Sequence, residues 1–268
     1  MRQLEGKTVL ITGGASGIGK IMARLLWERK AKVIIWDIDQ QKINETIAEL
    51  ANKGDVIGFI VDVSNVEEIQ KTAKKVKSEL GVVDVLINNA GIVVGKYFHE
   101  HSTMEIIKTM EINANAPMLI TREFLGDMLI QNSGHICNIA SSGGIISNPK
   151  MSVYLSSKWS LIGWSDSLRL EMQQLNKNVN VTTIMPYYIN TGMFAGVKSK
   201  IPILEPKAAA LTIVKAIEKN KIMLTIPGYI YRITRLGQAL LSIKAFDWFA
   251  GSALGIYKTM EQFTGRKK

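Results

Sequence analysis

The sequence predicts an α/β fold: one doubly wound parallel sheet, helices on both faces, and a C-terminal helical extension. Three observations predict it. Short Val/Ile-rich runs alternate with helical patterns along the first 195 residues. Those runs are apolar almost throughout, as strands buried on both faces must be. No Pro/Gly/Ser-rich linker divides the alternation, so the runs belong to one sheet in one domain.

The elements follow in order. Lys7–Thr12 (KTVLIT) reads as the first strand, followed by a glycine-rich turn and a helix over Gly19–Lys30 that sets Ile21, Leu25 and Leu26 on one side. Lys32–Asp37 (KVIIWD) is the second strand. The helix Gln40–Asn52 carries Ile43, Ile47 and Leu50 at helical spacing. Val56–Asp62 is a third strand, Val66–Leu80 a third helix and Asp84–Asn88 a fourth strand. Helical patterns fill Ser102–Asn113 and Ala116–Gln131. His135–Ser141 is the fifth strand, Ser152–Asn176 a long helix and Asn180–Met185 the sixth strand. The expected division is a catalytic, cofactor-binding region over residues 1–195 and an extension of the same domain over 196–268, forming a substrate lid and a basic, apolar tail.

Charge separates the same two regions. The formal net charge is +10. Residues 1–195 hold 20 Lys/Arg against 19 Asp/Glu, whereas residues 196–268 hold 13 against 4. A uniformly basic surface that coats nucleic acid is therefore not expected, while local contact of the tail with something acidic is. The one cysteine, Cys137, permits no internal disulfide, and a reducing compartment, the cytoplasm, is the default. Its expected role is that of a small buried hydrophobe. Charges interrupt the first residues, so no signal peptide is read there. The uncharged stretch Asn178–Val197 contains Asn, Thr and Pro186 and reads as strand plus loop, not as a membrane span.

The turn Thr12-Gly13-Gly14-Ala15-Ser16-Gly17-Ile18-Gly19 lies between the first strand and the first helix. Glycines there let the backbone approach a pyrophosphate, and the helix N-terminus offers free N–H groups to it. This is the context of a Rossmann-type dinucleotide site, with Gly13, Ser16, Gly17, Ile18 and Gly19 as its contacts. Asp37 ends the second strand, 18 residues after Gly19. A carboxylate there accepts hydrogen bonds from the adenosine ribose hydroxyls and repels a 2′-phosphate. Ser16 adds no cation for such a phosphate, so NAD is expected over NADP. Asp62 and Val63, ending the third strand, are expected near the adenine.

Tyr154 and Lys158 form Y-x-x-x-K on one face of the long helix. A phenol with a pKa of about 10 is a poor base at neutral pH. A neighbouring ammonium favours the phenolate and is expected to lower that pKa. Ser141 stands thirteen residues before Tyr154, Asn113 lies in an earlier helix, and Asn88-Asn89-Ala90-Gly91 follows the fourth strand. Together with the glycine turn, these motifs resemble the short-chain dehydrogenase/reductase family over residues 5 to about 195. The resemblance implies roles. Tyr154 would be the general acid/base. Lys158 would bind the nicotinamide ribose and depress the Tyr154 pKa. Ser141, with Ser142 as its near rival, would bond the substrate oxygen. Asn113 would hold a water linking Lys158 to solvent. Asn89, Ala90 and Gly91 would pass beside the cofactor, and Ile189 and Thr191 would meet the carboxamide. No metal is implied. His99, His101 and His135 show no ligand spacing.

Pro186-Tyr187-Tyr188-Ile189-Asn190-Thr191-Gly192-Met193-Phe194 has Tyr187 where many members carry glycine. That stretch, Ile203-Leu204-Glu205-Pro206-Lys207 and the apolar-basic tail are similar to the branch of epidermal-type retinol dehydrogenases and lipid-droplet 17β-hydroxysteroid dehydrogenases. The branch implies a lipophilic alcohol or ketone, in steroid, retinoid or lipid metabolism, and the family a homodimer or homotetramer through helices 116–131 and 152–176. In the tail, Ile230, Ile233, Leu236, Leu240, Ile243 and Phe246 share one broad stripe flanked by Arg232, Arg235 and Lys244. Such a helix packs on the protein itself, forms a lid or partner surface, or lies peripherally on a membrane. Two other functions fit less of the pattern: a 3-oxoacyl thioester reductase, which usually uses NADP, and a catalytically idle NAD-binding module at a membrane.

Overall fold

The computed structural model describes residues 4–50 and 56–265. The expected end of the second helix at residues 51–52 and the last three basic residues of the tail lie outside the described residues. Seven strands form the sheet: β1 (Thr8–Thr12), β2 (Lys32–Asp37), β3 (Val56–Ile60), β4 (Val85–Asn88), β5 (Gly134–Ile139), β6 (Val179–Pro186) and β7 (Met223–Ile226). Their order is β3-β2-β1-β4-β5-β6-β7, and every pairing is parallel. The order reverses between β1 and β4, and a crevice opens at the carboxyl ends of the strands at that point.

Nine α-helices fill the connections and the tail among the described residues: α1 (Gly17–Trp27), α2 (Gln40–Leu50), α3 (Val66–Leu80), α4 (Thr103–Met110), α5 (Ala116–Ile130), α6 (Ser152–Gln174), α7 (Pro206–Glu218), α8 (Tyr229–Leu240) and α9 (Ile243–Trp248). Local chemistry sets several of their ends. Asn65 caps α3 by accepting from the Glu67 and Glu68 N–H groups. Ser102 and Glu105 form a reciprocal capping box on α4. Pro206 opens α7 while the Glu205 carboxylate accepts from Lys207 and Ala208 N–H.

The sheet has an apolar core on each face. On one side Met22, Leu25 and Leu26 of α1, Ile43 of α2 and Ile213, Val214 and Ile217 of α7 pack on Val9, Ile11, Val33 and Ile35. On the other, Ile69 and Val76 of α3, Ile120, Phe124 and Met128 of α5 and Leu168 and Met172 of α6 cover Leu10, Ile34, Trp36, Leu86 and Ile136. Phe124 is 1% exposed and meets the Trp36 ring at 5.9 Å. Truncating such a side chain costs about 3–5 kcal/mol.

Three local features differ from the sequence reading. β3 ends at Ile60, two residues before Asp62. The helix expected over 102–113 stops at Met110 and passes through a widened π turn, Glu111–Asn115, into α5. The tail supplies α7 and the edge strand β7, neither of which the sequence reading named, and the expected stripe over 229–246 breaks at Leu241, where Ser242 caps α9.

Candidate active site

The turn after β1 folds tightly because its glycines permit it. Gly13 and Gly17 have φ of 62° and 54°. A Cβ on Gly19 would lie 2.1 Å from the Gly13 carbonyl oxygen and 2.6 Å from Asn89 Nδ2, so no other residue fits there. The Asp37 carboxylate accepts from the Ala15 N–H at 3.0 Å and holds the turn against the end of β2. Asn89 donates through Nδ2 to the carbonyls of Thr12 and Gly13 at 2.9 and 3.1 Å. The Thr12 hydroxyl oxygen accepts from the N–H groups of Asn89 and Ala90, both at 3.0 Å. The result is a backbone cradle at the N-terminus of α1, and its close-set glycines fit a dinucleotide pyrophosphate.

Asn113 lies fully buried in the π turn. Its amide clasps the Ile92 backbone, accepting from the N–H and donating to the carbonyl, each at 2.9 Å, and it donates to Ser157 Oγ at 3.1 Å. A Cβ on Gly91 would lie 3.2 Å from Asn113 Oδ1 and 3.7 Å from Lys158 Nζ. Asn113 and Lys158 therefore both border Gly91 and leave little room there for a side chain.

Tyr154 and Lys158 rise from the first turns of α6, and both are buried. Lys158 donates to the Ile139 carbonyl at 2.9 Å, and its ammonium stands 5.8 Å from the centroid of the Tyr154 ring. Burial pulls the ammonium down to about 8. Burial also pushes the Tyr154 phenol up, while a hydrogen bond with Ser141 acts downward. The lowering expected from Lys158 is not among the causes that act on the phenol, and burial prevails. Ser141 is held at the end of the strand, its Oγ accepting from the Gly143 N–H at 3.1 Å. Ser142, the rival, is buried in the following 3₁₀ turn.

One cavity of about 350 Å³ joins these parts. Gly13, Ser16, Gly17, Ile18, Gly19, Asn89, Ala90, Gly91, Ser141, Tyr154, Lys158, Ile189 and Thr191 all line it. Asn113 stands behind the 89–91 segment. Asp37, Asp62 and Val63 are outside the lining. Asp62 binds Ser64 through its N–H at 2.9 Å and its hydroxyl at 2.6 Å. His99 and His101 do not line the cavity; His99 stacks on Tyr97 instead. His135 is buried against Thr182 Oγ1 at 2.8 Å, and Cys137 is a core residue.

Sequence reasoning named Ile230, Ile233 and Phe246 as a tail stripe with a lid among its uses, but gave Phe194 no place in the cavity. Phe194 packs edge-on to Tyr154 at 6.0 Å and to Tyr188 at 5.0 Å. Ile230 and Ile233 of α8 and Phe246 of α9 close the far side. Asn148 was also missed. The aromatic run 187–194 was the available signal for the first group; the second comes from parts of the chain more than 35 residues further on, which periodicity does not link to the site.

A family model described as short chain dehydrogenase matches residues 7–202. Epidermal retinol dehydrogenase 2 of Mus musculus is 34% identical over 274 residues, covering 100% of this chain and 88% of the relative. Estradiol 17-beta-dehydrogenase 11 of Homo sapiens is 36% identical over 242 residues, 89% of this chain and 81% of the relative. A short-chain dehydrogenase/reductase from Burkholderia phymatum, solved in complex with NAD, superposes with a TM-score of 0.82 at 25% identity, covering 89% of this chain and 95% of that one. A metagenomic short-chain oxidoreductase solved in complex with NADP superposes at 0.71 and 28% identity, covering 80% and 91%. The glycine cradle and these neighbours agree on a nicotinamide dinucleotide cofactor and on an oxidoreductase. The chain belongs to the short-chain dehydrogenase family, and within it is similar to the branch of epidermal retinol and 17β-hydroxysteroid dehydrogenases.

Proposed function

We propose that the protein is an NAD-dependent oxidoreductase that interconverts a hydroxyl and a carbonyl on a lipophilic substrate. The observation that carries this reading is the single cavity in which the Ser141–Tyr154–Lys158 group meets the glycine cradle at one end and an apolar wall at the other. When bound, the nicotinamide accepts or supplies the hydride. In oxidation, Tyr154 takes the proton of the substrate hydroxyl on its phenolate oxygen; in reduction, it returns it. Ser141 bonds the same substrate oxygen and holds it beside Tyr154. Lys158 binds the nicotinamide ribose, and its charge favours the phenolate. Ile189 and Thr191 hold the carboxamide. Asn113 commits its side chain to Ile92 and Ser157, so the relay water expected there would sit on its main-chain carbonyl.

The Asp37 carboxylate supports NAD over NADP. It accepts two backbone hydrogen bonds, from the Ala15 N–H through Oδ2 at 3.0 Å and from the Asp39 N–H through Oδ1 at 3.3 Å. A 2′-phosphate next to it would meet like charge. Asp62 and Val63 are proposed at the adenine edge. The apolar wall of Ile146, Met151, Phe194, Ile230 and Phe246 supports a lipophilic substrate, and the retinol and steroid enzymes among its relatives support the same class. Residues 1–195 carry the chemistry in this reading, and 196–268 supply the lid.

Two surfaces have proposed partners. Trp159 and Leu170 of α6, Leu175 just after it and Ile130 at the end of α5 are exposed, which supports a homodimer or homotetramer through these helices. Among the described residues no helix is long and apolar enough to cross a membrane. On α8 and α9, Leu236, Leu240, Ile243 and Trp248 are 61%, 73%, 82% and 68% exposed, beside exposed Arg232, Arg235 and Lys244. That combination supports peripheral docking on an anionic membrane surface facing the cytoplasm.

The test is initial-rate formation of NADH and NADPH over steroids, retinol and long-chain alcohols. NADH-linked turnover of a lipophilic alcohol is the expected result. Reduction of 3-oxoacyl thioesters with strong preference for NADPH contradicts it, as does cofactor binding with no turnover.

A further inference from the structure

Residues 259–265 return to the active site and run between two segments that border it: the stretch 91–95 and the loop 192–198, which carries Phe194. Three main-chain hydrogen bonds fasten them to the loop. The Ala195 carbonyl accepts from the Thr264 N–H at 2.9 Å and the Gly265 N–H at 3.3 Å, and the Thr259 carbonyl accepts from the Lys198 N–H at 3.2 Å. Gly196, with φ of 83°, permits this approach, since a Cβ there would collide with the Gln262 carbonyl oxygen. On the other side, a Cβ on Gly95 would run into the Phe263 ring and stand 2.8 Å from Met260 Cε. Both side chains therefore rest on bare backbone.

Side chains complete the attachment. Met260 is 1% exposed and shares one apolar cluster with Tyr154, Leu155, Tyr188 and Val197, against which Phe194 and Phe263 pack. The Thr259 hydroxyl oxygen accepts from Asn148 Nδ2 at 2.8 Å and lies 2.9 Å from Tyr188 Oη. Residues 259–265 do not themselves line the cavity. They stand behind Tyr188 and Phe194, which do. Phe194 in turn packs edge-on to Tyr154 at 6.0 Å. A surface loop opens easily where few contacts hold it. This one cannot lift from Tyr154 without breaking three main-chain bonds and uncovering a buried methionine.

We propose that residues 259–265 are a positioning strap for the reaction: through Met260 and the three main-chain bonds they hold the 192–198 loop down, so that Phe194 stays against Tyr154 as a wall for the substrate. This deepens the dehydrogenase reading and rests on it. The chemistry belongs to Ser141, Tyr154 and Lys158, and the strap sets how firmly the site is closed around them. The strap lies outside residues 7–202, the region that the family model matches. The glycine cradle is held by Thr12, Asp37 and Asn89 instead. Releasing the strap therefore loosens the grip on the substrate and spares the cradle.

The test compares the full-length wild type with Met260→Ala. Amide hydrogen exchange is read over residues 192–198, then kcat and KM for the best lipophilic alcohol, then Kd for ADP-ribose, which probes the cradle. In the variant, loop exchange is expected to quicken about tenfold or more. Its kcat/KM is expected to fall about tenfold, with KM rising more than kcat falls. ADP-ribose affinity stays within about twofold. Met260→Leu, which nearly conserves volume, behaves as wild type. In a Phe194→Ala background, Met260→Ala costs less than about twofold more, because both act on one wall. If Met260→Ala loses ADP-ribose binding, Gly95→Ala, which crowds Met260 and Phe263 without opening a void, takes its place with the same expectations. Unchanged loop exchange overturns the proposal. So does a fall in kcat at unchanged KM, the mark of lost folded enzyme, or a full further loss in the Phe194→Ala background. Exchange needs no substrate, so a strap that governs the loop in a protein that oxidises no alcohol supports the strap and contradicts the dehydrogenase reading alone.

Discussion

Lys158 Nζ donates to the Ile139 carbonyl at 2.9 Å while standing 5.8 Å from the ring centroid of Tyr154. The two residues share a buried site in which burial destabilises both charged forms: it pulls the ammonium down to about 8 and pushes the phenol up. Alcohol oxidation needs the phenolate, and carbonyl reduction needs the phenol. With the phenol raised, kcat/KM for oxidation is expected to climb with pH through and beyond neutrality, while that for reduction declines only on the alkaline side. Lys158→Met removes the charge that favours the phenolate and is expected to move the oxidation limb to still higher pH. Rates of both directions between pH 6 and about 10 check this; a limb unmoved in the variant contradicts it.

Asp37 joins the glycine turn to the end of β2 through the Ala15 N–H at 3.0 Å. Asp37→Asn keeps an acceptor and removes the charge. It is expected to narrow the preference for NADH over NADPH by about tenfold, as about 1.4 kcal/mol of like-charge repulsion is lost. Titration of cofactor binding by fluorescence reads the ratio. An unchanged ratio would remove Asp37 from cofactor selection.

Both of these sites were legible in the sequence because each is local. A glycine turn between a strand and a helix, or a Tyr and a Lys four residues apart, carries its geometry within a few residues. The paired faces of the sheet were legible too, since parallel strands buried on both sides read as unbroken apolar runs. What stayed hidden is assembled from distant segments. β7 is four residues long, and its place at the edge beside β6 follows only once α7 packs on α1. Asn113 turns inward because the helix widens by one residue at Glu111–Asn115, and a regular 3.6 period does not foresee that. The wall of the cavity joins Phe194 to Ile230 and Phe246 of the tail stripe, a meeting that the stripe's own period does not show. The tail stripe was read as one helix; the break at Leu241 gives two, and it leaves the residues from Leu236 to Trp248 more exposed than Ile230, which is buried.

That exposed surface carries a prediction of its own. Sedimentation with vesicles containing anionic lipid is expected to retain the protein at low salt and to release part of it as salt rises, since the cationic contribution is screened. The triple variant Leu236→Asp, Leu240→Asp, Ile243→Asp is expected to stay in the supernatant. Equal retention of wild type and variant, or none of the wild type at low salt, contradicts membrane docking through α8 and α9.

His135 is buried in the sheet and held down to about 3, chiefly by burial. Its value in the unfolded chain is about 6.5. The stability tied to its neutral form is therefore fully present above pH 6.5, and it is lost as pH falls toward 3, at up to about 1.4 kcal/mol per pH unit from this group. Urea unfolding midpoints at pH 7 and 5 are expected to differ more in the wild type than in His135→Gln. The same difference in both would assign the acid limb to other groups.

The central claim is that Tyr154 moves the substrate proton in a cavity shared with the nicotinamide. The most direct measurement is kcat for the best lipophilic alcohol in wild type and Tyr154→Phe, with the Kd for NADH measured on the same preparations. A fall of at least about 100-fold in kcat with NADH affinity within about twofold is the predicted result. Wild-type turnover in Tyr154→Phe would contradict the account.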